Sequence, residues 1–193
     1  MTMEFWATLA SVGTFVVIGA TAIAAMVQLR HMRAGNQIAA IMKLDSLLTT
    51  AEFRQARRFL QDELPQRLRD PEYRAELQRV PIGEGAKLLL VAGNCYEEMG
   101  LFVKRGIIDS AMACDLWSAQ ITGDWREMAP AIAIIRRTHG PATWENWEYL
   151  VGLAQDWLER FPQGTLPKHW RRQVLEDIYL TEDSTQSESA AAR

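Results

Sequence analysis

An uncharged run near the N-terminus constrains this chain more than any other feature. The 25 residues from Phe5 to Leu29 contain no charged side chain and are mostly apolar. At about 1.5 Å of rise per residue, a helix of this length spans about 37 Å, which exceeds the roughly 30 Å hydrocarbon core of a bilayer. The core helix of a soluble protein rarely runs so long without a charge. The run therefore predicts a single transmembrane anchor over residues 1–33.

A cleaved signal peptide is the main alternative, and a buried helix is a second one. The Ala-Ile-Ala sequence at 22–24 fits a small-x-small cleavage site, but the only charge before the run is that of Glu4, where a signal peptide carries basic residues. The basic residues Arg30 and Arg33 follow the run instead. Because Lys and Arg collect on the cytoplasmic side, we expect the N-terminus outside the membrane and the rest in the cytoplasm, with both arginines against lipid headgroups.

Small residues recur four positions apart within the run. This spacing lets two transmembrane helices approach closely, so it favours a homo-oligomer through the anchor, although an alanine-rich segment also produces such pairs by chance. The apolar run thus predicts membrane lipid along residues 5–29 as a partner, and the small pairs make a second copy of the chain a candidate partner. The pairs are Ala7 with Ser11, Ala10 with Thr14, Ala20 with Ala24, and Thr21 with Ala25.

Beyond residue 33, apolar residues recur at helical spacing and no stretch alternates as a strand would. The anchor is predicted to continue across Gly35, and a basic helix over 51–64 is predicted to begin at a Thr49–Glu52 capping box and to stop at Pro65. Asp70 and Pro71 open a short helix, and the most apolar helix covers about 82–105.

Four further helices are predicted in the second half. Asp109 caps the first, whose Ala113, Leu116 and Trp117 face inward, and Gly123-Asp124 is predicted to end it and to cap the second. The third begins at Thr143, and a last helix carries Trp170, Val174 and Ile178. The predicted fold is therefore all-α, with one transmembrane helix, a six- or seven-helix cytoplasmic bundle over 34–180, and a disordered tail over 181–193.

Composition excludes several classes of function. The formal net charge of −3 gives no basic field for nucleic-acid binding, so no nucleic-acid partner is expected. Two cysteines, Cys95 and Cys114, cannot form a disulfide framework or a four-cysteine zinc site. Nucleotide, nucleophile-elbow and zincin motifs are missing, as is the Glu-x-x-His pair of di-iron bundles, so no cofactor or metal and no catalytic residue is predicted.

A few polar residues still form a candidate functional surface. Adjacent carboxylates on the central helix point about 100° apart, which argues for a solvated or salt-bridged strip beside Lys87, Asn94 and Lys104 and against a facing acid–base pair. The basic residues at the end of a later helix suit the helix dipole, although a histidine there could also serve catalysis. The candidates are Glu97, Glu98, Asp115, Arg136 and His139.

The chain resembles a family of uncharacterised bacterial proteins known only as a domain of unknown function. The resemblance lies in Gly-Leu-Phe-Val-Lys-Arg-Gly-Ile-Ile-Asp at 100–109, Leu116-Trp117, Arg136-Arg137, and Asn-Trp-Glu-Tyr-Leu at 146–150. It implies one N-terminal transmembrane helix followed by a small cytoplasmic helical domain, and it implies no catalytic residues.

Three functions are compatible with these patterns. The leading one is a membrane-anchored interaction or scaffold protein that holds an unknown protein partner at the inner membrane. The alternative is a membrane-tethered, hydrolase-like enzyme that uses the candidate polar residues. The third is a sensor of anionic lipid surfaces that uses the basic helix over 51–64.

Overall fold

The computed structural model describes residues 2–176, and these residues form helices, turns and irregular segments. Helix α1 is long and is followed by six further α-helices. The bounds are α1 Met3–Leu48, α2 Ala51–Arg58, α3 Leu64–Arg67, α4 Pro71–Leu77, α5 Lys87–Lys104, α6 Ser110–His139 and α7 Glu145–Arg160, with a π-helical segment Phe59–Glu63 and a 3-10 turn Glu84–Ala86. The predicted all-α class with a long apolar N-terminal helix is confirmed.

Helix α1 has two halves of different character. Its most apolar 18-residue stretch is entirely uncovered, and the helix is long and apolar enough to cross a membrane. Its last turns, from Ala40 to Leu48, pack against the body of the protein, where Leu44 is fully buried and Leu48 nearly so. Lys43 pairs with Glu98 of α5 at 2.5 Å. The helix runs without a break across Gly35, as predicted.

The segment after α1 corrects two predicted boundaries. The cap of α2 is Thr50, whose Oγ1 accepts a hydrogen bond from the amide of Phe53 at 3.1 Å, so the predicted cap was one residue early. Pro65 does not end the helix. The chain widens into the π-helical segment, where the amide of Leu64 donates to the carbonyl of Phe59, and Pro65 then occupies the first turn of α3. Proline is tolerated there because it has no amide proton to satisfy.

Two of the predicted helix starts are confirmed. The Oδ1 atom of Asp70 accepts from the amide of Glu72 at 2.9 Å and begins α4, with Pro71 in its first turn. Asp109 accepts from the amide of Met112 at 3.0 Å and begins α6. Gly106, at φ +66°, ends the preceding segment in the left-handed region that favours glycine.

Helix α6 is longer than predicted. Gly123 and Asp124 neither end one helix nor cap another, because α6 continues unbroken through them and through Pro130 to His139. Leu116, predicted to face inward, is 55% exposed, whereas Ala113 and Trp117 are buried. The buried side chains of α6 form one apolar stripe along the helix, which includes Ala113 and Trp117, and Leu116 lies outside it.

Helix α7 begins later than Thr143. Trp144 precedes it in the left-handed region at φ 55°, and its ring is buried against α5. Fully buried side chains of α5, α6 and α7, with those of α2, form one continuous core. Its largest members include Trp147, Tyr96, Phe53 and Met128.

The contact pattern divides the chain after Pro162. The described residues of the second unit, 163–176, form turns and irregular segments, so the predicted helix around Trp170 and Val174 is wrong. Pro162, Gly164 and Pro167 disfavour a helix at the start of this segment, and Val174 is almost fully exposed. The segment therefore buries no apolar face that would stabilise a helix. Ile178 and the predicted tail over 181–193 lie outside the described residues.

Candidate functional site

The N-terminus of α7 sits directly on α5. Gly93, Glu97 and Gly100 lie at helical spacing on one face of α5. A Cβ atom at Gly100 would come within 3.0 Å of the backbone of Asn146, and one at Gly93 would overlap the ring of Trp144. The two glycines therefore let the start of α7 approach the backbone of α5 more closely than any larger residue would.

Glu97 caps α7 from this neighbouring helix. Its Oε2 accepts hydrogen bonds from the amides of Asn146 at 3.0 Å and Trp147 at 3.1 Å, and its Oε1 accepts from the side-chain amide of Asn146 at 2.7 Å. A carboxylate at this position satisfies amides that the helix cannot pair internally and favours the positive end of its dipole. The predicted solvated or salt-bridged strip is thus wrong for Glu97, which is half-buried and accepts its hydrogen bonds from Asn146 and Trp147.

Arg136 reaches the same helix start from α6. Its Nε donates to the carbonyl of Thr143 at 2.9 Å, its Nη1 pairs with Glu148 at 2.7 Å, and its guanidinium lies 6.0 Å from the centre of the Trp125 ring. These contacts tie the end of α6 to the first turn of α7.

The remaining candidates lie elsewhere. Nδ1 of His139 lies 3.2 Å from the carbonyl oxygen of Ile135, one turn back in α6. Glu98 pairs with Lys43. Asp115 is exposed on α6 and precedes Arg136 by 21 positions, or about 31 Å along a continuous helix. The structure therefore brings Glu97 and Arg136 to one helix start and leaves Asp115 at a distance. Within residues 2–176 no group of three His, Cys, Asp or Glu side chains could hold a metal ion.

The residue patterns missed a buried polar cluster at the centre of the body. Asp124 is 1% exposed, and its two oxygens accept from Nε and Nη2 of Arg57 at 2.6 and 3.1 Å. The Tyr96 hydroxyl donates to Asp124 at 2.6 Å and accepts from Gln120 at 3.0 Å. This cluster joins α2, α5 and α6, and its hydrogen bonds compensate the burial of a charge.

The surroundings of the cluster favour fixed protonation states. Burial, with the adjacent charge of Asp124, raises the pKa of Tyr96 well above its ordinary value. Burial lowers the pKa of Arg57, but the hydrogen bond and the charge of Asp124 outweigh it, so the net shift is upward. Tyr96 therefore stays neutral and Arg57 stays charged at neutral pH, which suits a structural link between helices.

The two thiols are poor nucleophiles for a related reason. Burial, assisted by the charge of Glu98, raises the pKa of Cys95 to about 12. Burial and Asp109 raise that of Cys114. Since the thiolate is the reactive form, both cysteines behave as small apolar residues at neutral pH.

Aromatic rings surround the polar cluster. Tyr96 stacks on Trp147 at 4.4 Å between ring centres, and Trp125 meets Trp147 edge to face at 5.2 Å. Trp147 is fully buried. These tryptophans thus belong to the core, as their helical spacing predicts.

Two open clefts lie away from this core. One, of about 580 Å³, runs between α6 and α7, and we call it the α6–α7 groove. The other, of about 600 Å³, lies between α1 and the turn after α5, and we call it the α1 cleft. The groove is lined by residues that include Ala119, Gly123, Arg126, Ala129, Gln155 and Leu158, and the cleft by residues that include Arg30, Arg33, Asn36, Gln37, Gly106 and Ile107.

Comparison with curated proteins gave no match, and comparison with solved structures gave none either. A family match was found, and it extends over residues 15–157, from the apolar half of α1 to the last turns of α7. It includes the contact between Gly100 and Asn146, two of the positions that carry the resemblance noted above. Because the match covers most of the chain, the protein belongs to the DUF4760 family, a domain of unknown function.

Proposed function

We propose that this protein is a membrane-anchored helical scaffold that holds a protein partner at the inner membrane, with its body on the cytoplasmic side. The observation that carries the proposal is the continuity of α1. One helix contains both the uncovered apolar stretch and the residues that pack into the body. An anchor joined to the body by a flexible linker would only limit diffusion, whereas a continuous helix also sets the position of the body.

The junction between α1 and the body supports this reading. Leu44 is fully buried, Leu48 is 8% exposed, and Lys43 both pairs with Glu98 and lies 5.6 Å from the centre of the Phe102 ring. Detaching the last turns of α1 would expose these apolar side chains, at roughly 1.5–3 kcal/mol for each buried leucine. The end of α1 is therefore part of the folded body.

The α6–α7 groove is the surface that we propose for the partner, and we propose a helix of that partner as its occupant. Three small residues of α6, Ala119, Gly123 and Ala129, line the groove, and a Cβ atom added at Gly123 would meet nothing within 4 Å. Leu158 of α7 also lines it and is 38% exposed, and Leu116 of α6, three residues before Ala119, is 55% exposed. Small lining residues let an incoming helix approach closely, and exposed leucines offer it apolar surface to bury.

A pair of variants tests this assignment. Gly123→Leu adds a side chain to the lining of the groove, at a position where a Cβ atom would meet nothing within 4 Å. Gln55→Leu adds the same side chain at an exposed site of α2 and serves as the control. Full-length proteins are cross-linked in native membranes, purified in mild detergent and compared by quantitative mass spectrometry, with thermal unfolding confirming that both variants fold. We expect one protein to co-purify with the unsubstituted chain and with Gln55→Leu, and to be lost at least tenfold with Gly123→Leu.

Other results would contradict the proposal. Equal recovery of every protein with both variants removes the groove as the partner surface. Recovery of only a second copy of the chain makes the groove a self-association surface. The enzyme alternative draws on five residues of which Asp115 and Arg136 lie far apart, and no contact among the described residues favours it.

Retention of the anchor is tested separately. We expect the protein recovered from membranes to keep residues 5–29 by intact mass, and to stay in the membrane pellet after alkaline carbonate extraction. A mature form that begins after residue 24 would support the signal-peptide alternative and end the scaffold proposal.

A further inference from the structure

The α1 cleft places polar side chains beside the end of the apolar run. Arg30, Arg33 and Gln37 recur at spacings of three and four residues, so they share one face of α1. The turn after α5 closes the other side of the cleft with Gly106 and Ile107. The cleft of about 600 Å³ is large enough for a phosphate-bearing headgroup.

The charge of this cleft is uncompensated. Its lining contains two guanidinium groups and the carboxamides of Asn36 and Gln37, and it contains no carboxylate. In the part of the chain that the structure describes, neither Arg30 nor Arg33 takes part in an ion pair. Arg105, next to the lining residue Gly106, is also exposed and forms no ion pair with any residue among 2–176. Guanidinium groups bind phosphate oxygens through paired hydrogen bonds, so the cleft selects for an anion.

The position of the cleft along α1 indicates which anion. The apolar run ends at Leu29, and Arg30 to Gln37 extend from about 1.5 to about 12 Å beyond it along the helix axis. In a bilayer the polar headgroup layer occupies roughly the first 5–7 Å beyond the hydrocarbon core. The arginines therefore lie at the depth of lipid phosphates, and Ile107, which is 42% exposed, lies beside them at the tip of the turn.

We propose that the α1 cleft binds the headgroup of an anionic phospholipid. The inference rests on the proposed membrane anchoring, and it adds a specific site to it. A bound phosphate contacts Arg30 and Arg33 of α1, and the turn after α5 lies on its other side. A zwitterionic headgroup binds more weakly, because its own ammonium group repels the unpaired arginines.

Substitutions on opposite faces of α1 test the site. Arg33→Gln removes one guanidinium while Arg30 keeps a positive charge at the end of the run. Gln37→Glu adds a carboxylate inside the cleft, and Ala39→Glu adds the same charge two residues later, about 200° around the helix. Short-chain phosphatidylglycerol is titrated into each full-length protein in neutral detergent, and bound lipid is measured by native mass spectrometry. We expect about tenfold weaker binding for Arg33→Gln and for Gln37→Glu, and unchanged binding for Ala39→Glu.

Parallel titrations identify the source of the phosphate. Phosphatidylcholine and inorganic phosphate should each bind at least tenfold more weakly than phosphatidylglycerol. Equal binding of inorganic phosphate, equal binding of phosphatidylcholine, or equal weakening by Ala39→Glu would overturn the proposal. Absence of bound lipid in a protein that resists carbonate extraction would also overturn it and leave the anchoring intact. Release by carbonate would overturn the anchoring itself, and this inference with it.

Discussion

At the scale of single residues, the contact between α5 and α7 depends on glycines, because a Cβ atom at their positions would overlap the start of α7. Gly100 and Gly123 are both helical glycines, but their surroundings differ. The position of a Cβ atom at Gly100 is already taken by the backbone of Asn146, while that at Gly123 is open. Backbone cannot move aside as a flexible side chain can, so only Gly100 is required for packing.

The two glycines give a matched prediction. Gly100→Ala should force α5 and α7 apart and lower the free energy of unfolding by about 1–3 kcal/mol. Gly123→Ala should leave it unchanged or raise it by up to about 1 kcal/mol, because alanine favours the helix. Thermal unfolding of the full-length proteins in one detergent measures both effects. Equal melting temperatures for Gly100→Ala and the unsubstituted chain would show that the close approach is wrong.

The helical spacing of apolar residues predicts the hydrophobic core well, but it does not predict the buried polar cluster around Asp124. The spacing of Trp147, Met128 and Ile132 predicts burial, and all three are buried. Asp124 follows a glycine and was assigned to a helix start, because aspartate commonly caps helices. It instead accepts two hydrogen bonds from Arg57, 67 positions earlier in the chain. A pairing across that separation leaves no local pattern, so a single sequence could not reveal it.

At the scale of secondary-structure elements, the start of α7 is built by another helix. Trp144 stands at the position of the cap in the left-handed region, and its side chain forms no capping hydrogen bond. Glu97 of α5 supplies the acceptor instead. The motif around residues 146–150 is thus completed by a carboxylate 49 positions earlier, which explains why Thr143 was wrongly predicted as the start.

Adjacent glutamates allow this role to be isolated. Glu97→Ala leaves two amides at the start of α7 without an acceptor and should lower the free energy of unfolding by about 1–3 kcal/mol. Glu98→Ala breaks only the exposed pair with Lys43 and should cost about 0–1 kcal/mol. Thermal unfolding gives the totals, and hydrogen exchange at residues 145–148 should rise for Glu97→Ala alone. Equal exchange in the two variants would contradict capping by Glu97.

Two helix ends predicted at a proline or a glycine, Pro65 and Gly123, are wrong. Pro65 predicts the end of a helix, because proline has no amide proton to donate. The chain instead forms the π-helical segment before Pro65 and stays helical to Arg67. Pro130 lies inside α6 and is exposed. In both cases packing of the apolar face, with Leu60 and Leu64 or Ile132 and Ile135 buried, outweighs the local cost. Helix propensity describes single residues and does not include this packing energy, so it could not predict that the helices continue.

At the scale of the whole molecule, the charges that flank the apolar run should decide which side of the membrane holds the body. Glu4 is the single charge before the run, and Arg30 and Arg33 follow it closely. A reporter fused after Arg193 should therefore be active on the cytoplasmic side. Replacing both arginines by Glu should weaken or invert this orientation, measured by protease access to the reporter in oriented vesicles.

The control for orientation uses arginines outside the flank. Replacing Arg54 and Arg58, which are exposed on α2, by Glu makes the same change of net charge about twenty-five positions further along the chain. Basic residues act on orientation mainly within about 15–20 residues of the span, so this variant should keep the reporter on the cytoplasmic side. If both pairs of substitutions shifted the reporter equally, net charge and not the flank would set the orientation. If neither did, the continuity of α1 with a folded body would be the stronger constraint, because the body would have to fold before the helix was placed.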